Sequence, residues 1–161
     1  MVTKEQADIA LAAFAKKVGI ARLAFDHSGT ALVAFGDQQE LIIYHSAQSG
    51  QIEVWSPLQE FMLAGTPDAD DALMRHLLEK NFPSSALDGA YFAIDGEIGV
   101  VLLGAQIALD GQDITAFADK VTAFAEQVLA ISATLTKDVA DARAARNSLA
   151  AADTSTPIIK A

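Results

Sequence analysis

Cysteine is absent from the chain, and with it go thiolate nucleophiles, thiolate zinc sites, iron–sulfur clusters and every disulfide. Reducing and oxidising compartments both tolerate this, so the absence removes chemistry without assigning an address. Long hydrophobic runs are missing too. The longest, Ile98 to Ala105, falls far short of the roughly 20 residues with which a helix crosses a bilayer. Lys4, Glu5, Asp8, Lys16 and Lys17 break up the apolar residues near the N-terminus, where an export signal needs a continuous stretch. A cytoplasmic protein without membrane insertion is expected. Positive charge is also scarce, with 11 Lys and Arg against 21 Asp and Glu, a net charge of −10 and a pI near 4.5. Such a field repels phosphate backbones and anionic head groups, which argues against nucleic acid as a partner. No Gly-x-Gly-x-x-Gly, phosphate-loop lysine motif or Gly-x-Ser-x-Gly elbow occurs, so nucleotide-dependent and hydrolase chemistry have no support in motif.

What is present is an ordinary globular balance, 52% hydrophobic and 20% charged over 161 residues. One domain of this size buries roughly two-thirds of its unfolded surface and needs no staple. Thr3-Lys4-Glu5-Gln6 is a capping box. Ala7, Leu11, Phe14 and Val18 follow at helical spacing and Gly19 suits a left-handed end, which predicts a helix over Lys4 to Val18. Three strands are expected at Thr30–Phe35, Glu40–His45 and Gln51–Ser56, with connections short enough for an antiparallel meander. The second, Leu41-Ile42-Ile43-Tyr44, is apolar on both faces and should be interior or covered.

Thr66 and Pro67 open a second helix with Asp68, Asp70 and Asp71 at its positive end, and its apolar face of Leu73, Met74, Leu77 and Leu78 ends at Asn81. Ala90–Ile94 and Ile98–Leu103 flank Asp95-Gly96, a pair suited to a two-residue type I′ hairpin. The last helix starts near Asp113, and Ile114, Phe117, Val121, Phe124, Val128, Ile131 and Leu135 form one stripe. The fold class is α+β in the order α-β-β-β-α-β-β-α, a single domain with an antiparallel sheet packed against helices. The domain is expected over residues 3–135, with residues 136–161 a helical extension and a disordered tail.

Candidate chemistry is thin. His27, His45 and His76 lie in a turn, a strand and a helix with no i, i+4 pairing, so no metal ligands are assigned. His45 and Ser46 are adjacent on a strand and point to opposite faces, so His45 is expected as a surface histidine at the strand end. The three aspartates of the second helix lack the glycine and closing glutamate of a calcium loop. No catalytic residue and no cofactor are expected. Trp55 and Tyr44 are the aromatics that could anchor an interface.

Phe25-Asp26-His27-Ser28-Gly29 leading into Leu41-Ile42-Ile43-Tyr44, Leu77-Leu78-Glu79-Lys80-Asn81-Phe82, and Gly89 to Leu109 followed by Asp110-Gly111 together resemble the class I chaperones of type III secretion, the family of the Tir chaperone. The likeness spans residues 3 to 135. It implies a homodimer that binds the extended N-terminal segment of a secreted effector protein and keeps it export-competent without ATP. The family's dimer contact would carry over to Leu73, Met74, Leu77, Leu78, Ala90 and Phe92. Its client contact, on the first helix and the outer face of the meander, would carry over to Ile9, Ala13, Val33, Phe35, Glu53 and Trp55. Leu58 to Gly65 departs from the family pattern. Two rivals remain open at this point: a binding module of the same topology outside secretion, and an enzyme whose pocket gathers His45, Tyr44 and Glu53.

Overall fold

A computed structural model describes residues 2–36, 39–58, 67–82, 87–95, 97, 99–109 and 114–153. Helix α1 spans Lys4–Val18. Strands β1 (Thr30–Phe35), β2 (Gln39–Ser46) and β3 (Gln51–Pro57) follow, then α2 (Pro67–Lys80), β4 (Tyr91–Asp95), β5 (Val100–Ile107) and α3 (Ile114–Asp153). The element order is the one read from sequence, and the fold is α+β. The α1 capping box is in place: Thr3 Oγ1 accepts from the Gln6 N–H at 3.2 Å, and Gln6 Oε1 accepts from the Thr3 N–H at 2.9 Å. Gly19 ends the helix at φ 77°, a conformation that glycine adopts without a Cβ penalty. Thr66, Asp113 and residues 154–161, to which the sequence assigns a cap, a helix start and a tail, lie outside the described residues.

The five strands form one antiparallel sheet in the order β1-β2-β3-β5-β4. A period of two puts Ala31 and Val33, Leu41, Ile43 and His45, Ile52 and Val54, and Leu103 and Ile107 on one buried face. Against them pack Leu11 and Phe14 of α1 and the α3 stripe of Phe117, Val121, Phe124, Val128 and Leu135. Helices α1 and α3 also pack on each other, and α2 lies against α3 and β4. β2 is interior, as its apolar faces require.

Two local expectations are corrected. Asp95 pairs with Val100, whereas a two-residue turn at Asp95-Gly96 would close on Ile94 and Glu97, so four residues connect β4 and β5 and the two-residue hairpin does not form. The cause is register: the longer connection sets Phe92 opposite Leu103 and Ile94 opposite Val101, whereas a turn at Asp95-Gly96 would set Glu97 opposite Ile94 on the core face. Asp95 Oδ1 accepts the Glu97 N–H at 2.9 Å, and the Gly99 N–H reaches the Asp95 carbonyl at 2.8 Å, closing that connection. Gly96 and Ile98 lie outside the described residues. His45, in turn, is buried (5% exposed) rather than on the surface, because its strand position falls on the core face. Its Nε2 lies 3.2 Å from the Val2 carbonyl, and its ring meets that of Phe25.

Candidate protein-binding site

The face of the sheet turned away from α1 and α3 is where most of the exposed apolar strand residues gather. Cross-strand registers place Leu32, Ile42, Trp55, Gly104 and Tyr91 in a line across all five strands. Leu32 is 64% exposed, and Ile42, Trp55 and Tyr91 are half-buried. Trp55 sits on Gly104: a Cβ at that glycine would lie 2.4 to 2.9 Å from three ring atoms of the indole, so only glycine leaves room for the ring. Tyr91 meets Trp55 edge-on, with ring centroids 5.4 Å apart at 87°, and the indole N–H donates to the Glu53 carboxylate at 3.1 Å. Loss of solvation, with the Glu53 charge second, raises the Tyr91 phenol above its ordinary value of 10.0. Ordered aromatics bounded by a carboxylate suit the burial of apolar side chains from another polypeptide.

This face adjoins a free sheet edge. Ala31, Val33 and Phe35 turn their backbone groups toward β2, so Leu32 and Ala34 turn theirs outward, with no partner among the described residues. An extended peptide can pair there. The turn before β1 is built on Asp26, whose Oδ1 accepts from the Ser28 N–H, the Ser28 hydroxyl and the Thr30 N–H at 2.6 to 2.9 Å. These bonds, the Ser28 hydroxyl first and the Thr30 amide next, hold its carboxyl below the ordinary value of 3.8. Ile9 of α1 is exposed and Ala13 half-buried one turn later.

A second apolar surface lies on α2. Met74, Leu78 and Phe82 recur every four residues and are 41%, 66% and 66% exposed, a stripe on one face of the helix end. Beside it Leu77, Asn81, Phe92, Ala93 and Ile94 line a shallow hollow of about 140 Å³.

Of the residues proposed from the family for the dimer seam, Met74 and Leu78 are exposed, whereas Leu77, Ala90 and Phe92 are buried within this chain at 3%, 8% and 7%. They serve its own core, because α2 packs Leu77 inward and Phe92 points to the helix side of the sheet. The Leu73 side chain lies outside the described residues. Of the client-contact set, Ile9 is exposed, and Ala13, Glu53 and Trp55 are half-buried. Val33 is buried and Phe35 packs against the core, so both fall on the face opposite to the expected one. The outward residue is Leu32. From Ala31 to Phe35 the strand is apolar throughout, and Thr30 alone, on the same face as Leu32, marks its phase. Tyr91 and Phe82 were not singled out either; an exposed phenylalanine just past a helix end is the available signal for the second.

The enzyme rival loses its pocket: His45 is on the core face, while Tyr44 and Glu53 pair with each other across strands on the outer face. Elsewhere Asp88, Gln106, Lys120 and Gln127 line a hollow of about 510 Å³ between β5 and α3. Among the described residues no three His, Asp or Glu side chains gather as a metal would need, and no helix is long and apolar enough to cross a membrane.

The sequence model of the Tir chaperone protein (CesT) family matches residues 10–132. No curated protein sequence matches this chain. Among solved structures, a chain of the ExsC–ExsE complex is similar with a TM-score of 0.67 at 20% identity, covering 82% of this chain and 95% of that one. A chain of the HopA1–SchA chaperone–effector complex gives 0.57 at 13%, covering 75% and 88%. A chain from the complex of the Yersinia pestis type III secretion chaperone SycH with a stable fragment of YscM2 gives 0.53 at 17%, covering 76% and 97%. At these identities the likeness is one of fold.

Proposed function

Since this chain belongs to the Tir chaperone protein (CesT) family, we propose that it is a type III secretion chaperone that binds the N-terminal segment of a secreted effector and keeps it competent for export without ATP. The observation that carries the reading is the sheet face turned away from α1 and α3, where Leu32, Ile42, Trp55 and Tyr91 run up to a β1 edge that is unpaired among the described residues. Backbone pairing along Leu32 and Ala34 supplies affinity with little dependence on sequence, and burial against Leu32 and Trp55 selects apolar side chains. Neither step consumes a nucleotide. The structures of similar fold that contain chaperone–effector and chaperone–fragment complexes support the same use.

The chain acts as a homodimer in the cytoplasm. Met74, Leu78 and Phe82 form the seam, a stripe whose exposure is costly for a lone chain and which a second copy would cover. Residues 3–135 hold the client, and residues 136–161 extend beyond the unit that does so.

The test is co-purification with N-terminal segments of secreted proteins encoded beside this chain, comparing wild type with Leu32→Asp. A charge at that exposed position leaves the core intact and removes apolar contact at the edge. The expected result is capture by wild type and at least about tenfold weaker capture by the variant. Equal capture by both would place the client elsewhere.

A further inference from the structure

An antiparallel edge strand leaves alternate residues with N–H and C=O turned away from the sheet, open to any added strand. This sheet has two such edges, β1 and β4, and they are not equal. On β4 the Phe92 N–H donates to Asn81 Oδ1 at 2.7 Å, and the Phe92 carbonyl accepts from Asn81 Nδ2 at 3.1 Å. One side-chain amide thus supplies the donor and acceptor that a neighbouring strand would bring. Two residues back, the Ala90 N–H is taken by the Leu87 carbonyl at 2.8 Å. Among the described residues only Ile94 remains outward and without a backbone partner within Tyr91–Asp95, too little to hold a strand in register.

The β1 edge uses the same device once, at its start. The Thr30 N–H donates to Asp26 Oδ1 at 2.9 Å, and the Thr30 carbonyl accepts from the Asp26 N–H at 2.8 Å. Leu32 and Ala34, the next two outward positions, have no backbone partner among the described residues. A strand added to this protein therefore finds two consecutive outward residues on β1 and one on β4.

We propose that Asn81 is the residue that determines which edge accepts a strand: it closes β4 and confines the extended apolar segment of a client to β1, from Leu32 onward. The inference rests on the strand-addition reading of the client site. Asn81 has a second, separable task, since its backbone N–H bonds to the Leu77 carbonyl at 3.0 Å and ends α2. That bond survives side-chain substitution.

The experiment uses the full chain, as wild type, Asn81→Ala and Asn81→Asp, with light scattering across a concentration series and amide exchange read at Phe92. Alanine opens the edge, so N81A should form assemblies larger than wild type that grow with concentration. In dilute solution its Phe92 amide should exchange about tenfold faster. Aspartate keeps an acceptor for the Phe92 N–H and sets a negative charge at the edge, which repels an incoming strand, so N81D should stay at the wild-type size. Asn81→Gln, whose longer side chain cannot make both bonds at once, replaces N81A should the alanine variant not fold, with the same expected assembly. An N81A chain of wild-type size whose Phe92 amide exchanges fast would overturn the proposal, as would equal association of N81A and N81D. Because the readout needs no client, it can fail while effector binding stands, and effector binding can fail while it succeeds.

Discussion

Replacing Gly104 with alanine tests whether Trp55 is held on the sheet by the space that glycine leaves. The added Cβ would lie 2.4 Å from the nearest indole carbon, with two more ring atoms inside 3 Å. No real Cβ contact is that close, so something must move. The strand backbone at Gly104 is fixed by pairing with both Trp55 and Tyr91, whereas the half-exposed indole can swing outward. Doing so forfeits the edge-on pair with Tyr91, about 0.5–1.5 kcal/mol, and the hydrogen bond to Glu53, about 1 kcal/mol at a partly exposed site. Alanine recovers about 0.5–1 kcal/mol because glycine in a strand loses more conformational entropy on folding. The net expectation is a loss of about 1 kcal/mol, or a melting temperature lower by roughly 2–4 °C for a chain of this size. Trp55 is the sole tryptophan, so its emission reports the displacement directly and should shift to longer wavelength in the folded variant. Urea unfolding followed by fluorescence and by circular dichroism measures both. A Gly104→Ala protein as stable as wild type, with unchanged emission, would refute this account of the outer face.

Leu78→Asp, at a side chain 66% exposed, should cost less than about 1 kcal/mol in the single chain yet yield a folded monomer by light scattering; a dimer of wild-type mass would place the seam elsewhere. Phe117→Ala empties a site that is 1% exposed between helix and sheet and should cost about 3–5 kcal/mol in urea unfolding. Asp26 gives a pH dependence. Its folded value lies below the unfolded 3.8, so its support of the β1 turn is complete above about pH 4 and is lost as pH falls through the folded value. Amide exchange at Thr30 should accelerate over that acid window in wild type and show no such step in Asp26→Asn.

Much of the architecture was legible because the periods were clean. Ile114 to Leu135 repeats at three and four, Thr3 and Gln6 bracket a helix start, and Ile52 and Val54 alternate with Glu53 and Trp55; each pattern allows one reading. The surfaces were less legible where both faces of an element are apolar. β1 offers one polar residue, Thr30 at its first position, to mark its phase; the client-contact set puts Val33 and Phe35 outside, whereas the register with Leu41 and Gln39 turns them inward and leaves Thr30 and Leu32 on the outer face. The connection after Asp95 follows the pairing of Phe92 with Leu103, which acts across strands and outweighs the turn preference of a dipeptide. Ala90, Phe92 and Leu77 carry no local mark that separates a core from a seam. Asn81 reads in sequence as a helix end, and its bond to Phe92 exists only once α2 lies beside β4.

The central claim is that this chain holds another polypeptide in extended form, two copies to one client segment. Light scattering of the purified complex with an N-terminal effector segment, the bound region mapped by limited proteolysis, measures it. The account predicts a mass of two chains plus one segment, with protection confined to a continuous N-terminal stretch of the client. A monomeric chain that protects no such stretch from any secreted protein encoded beside it would contradict it.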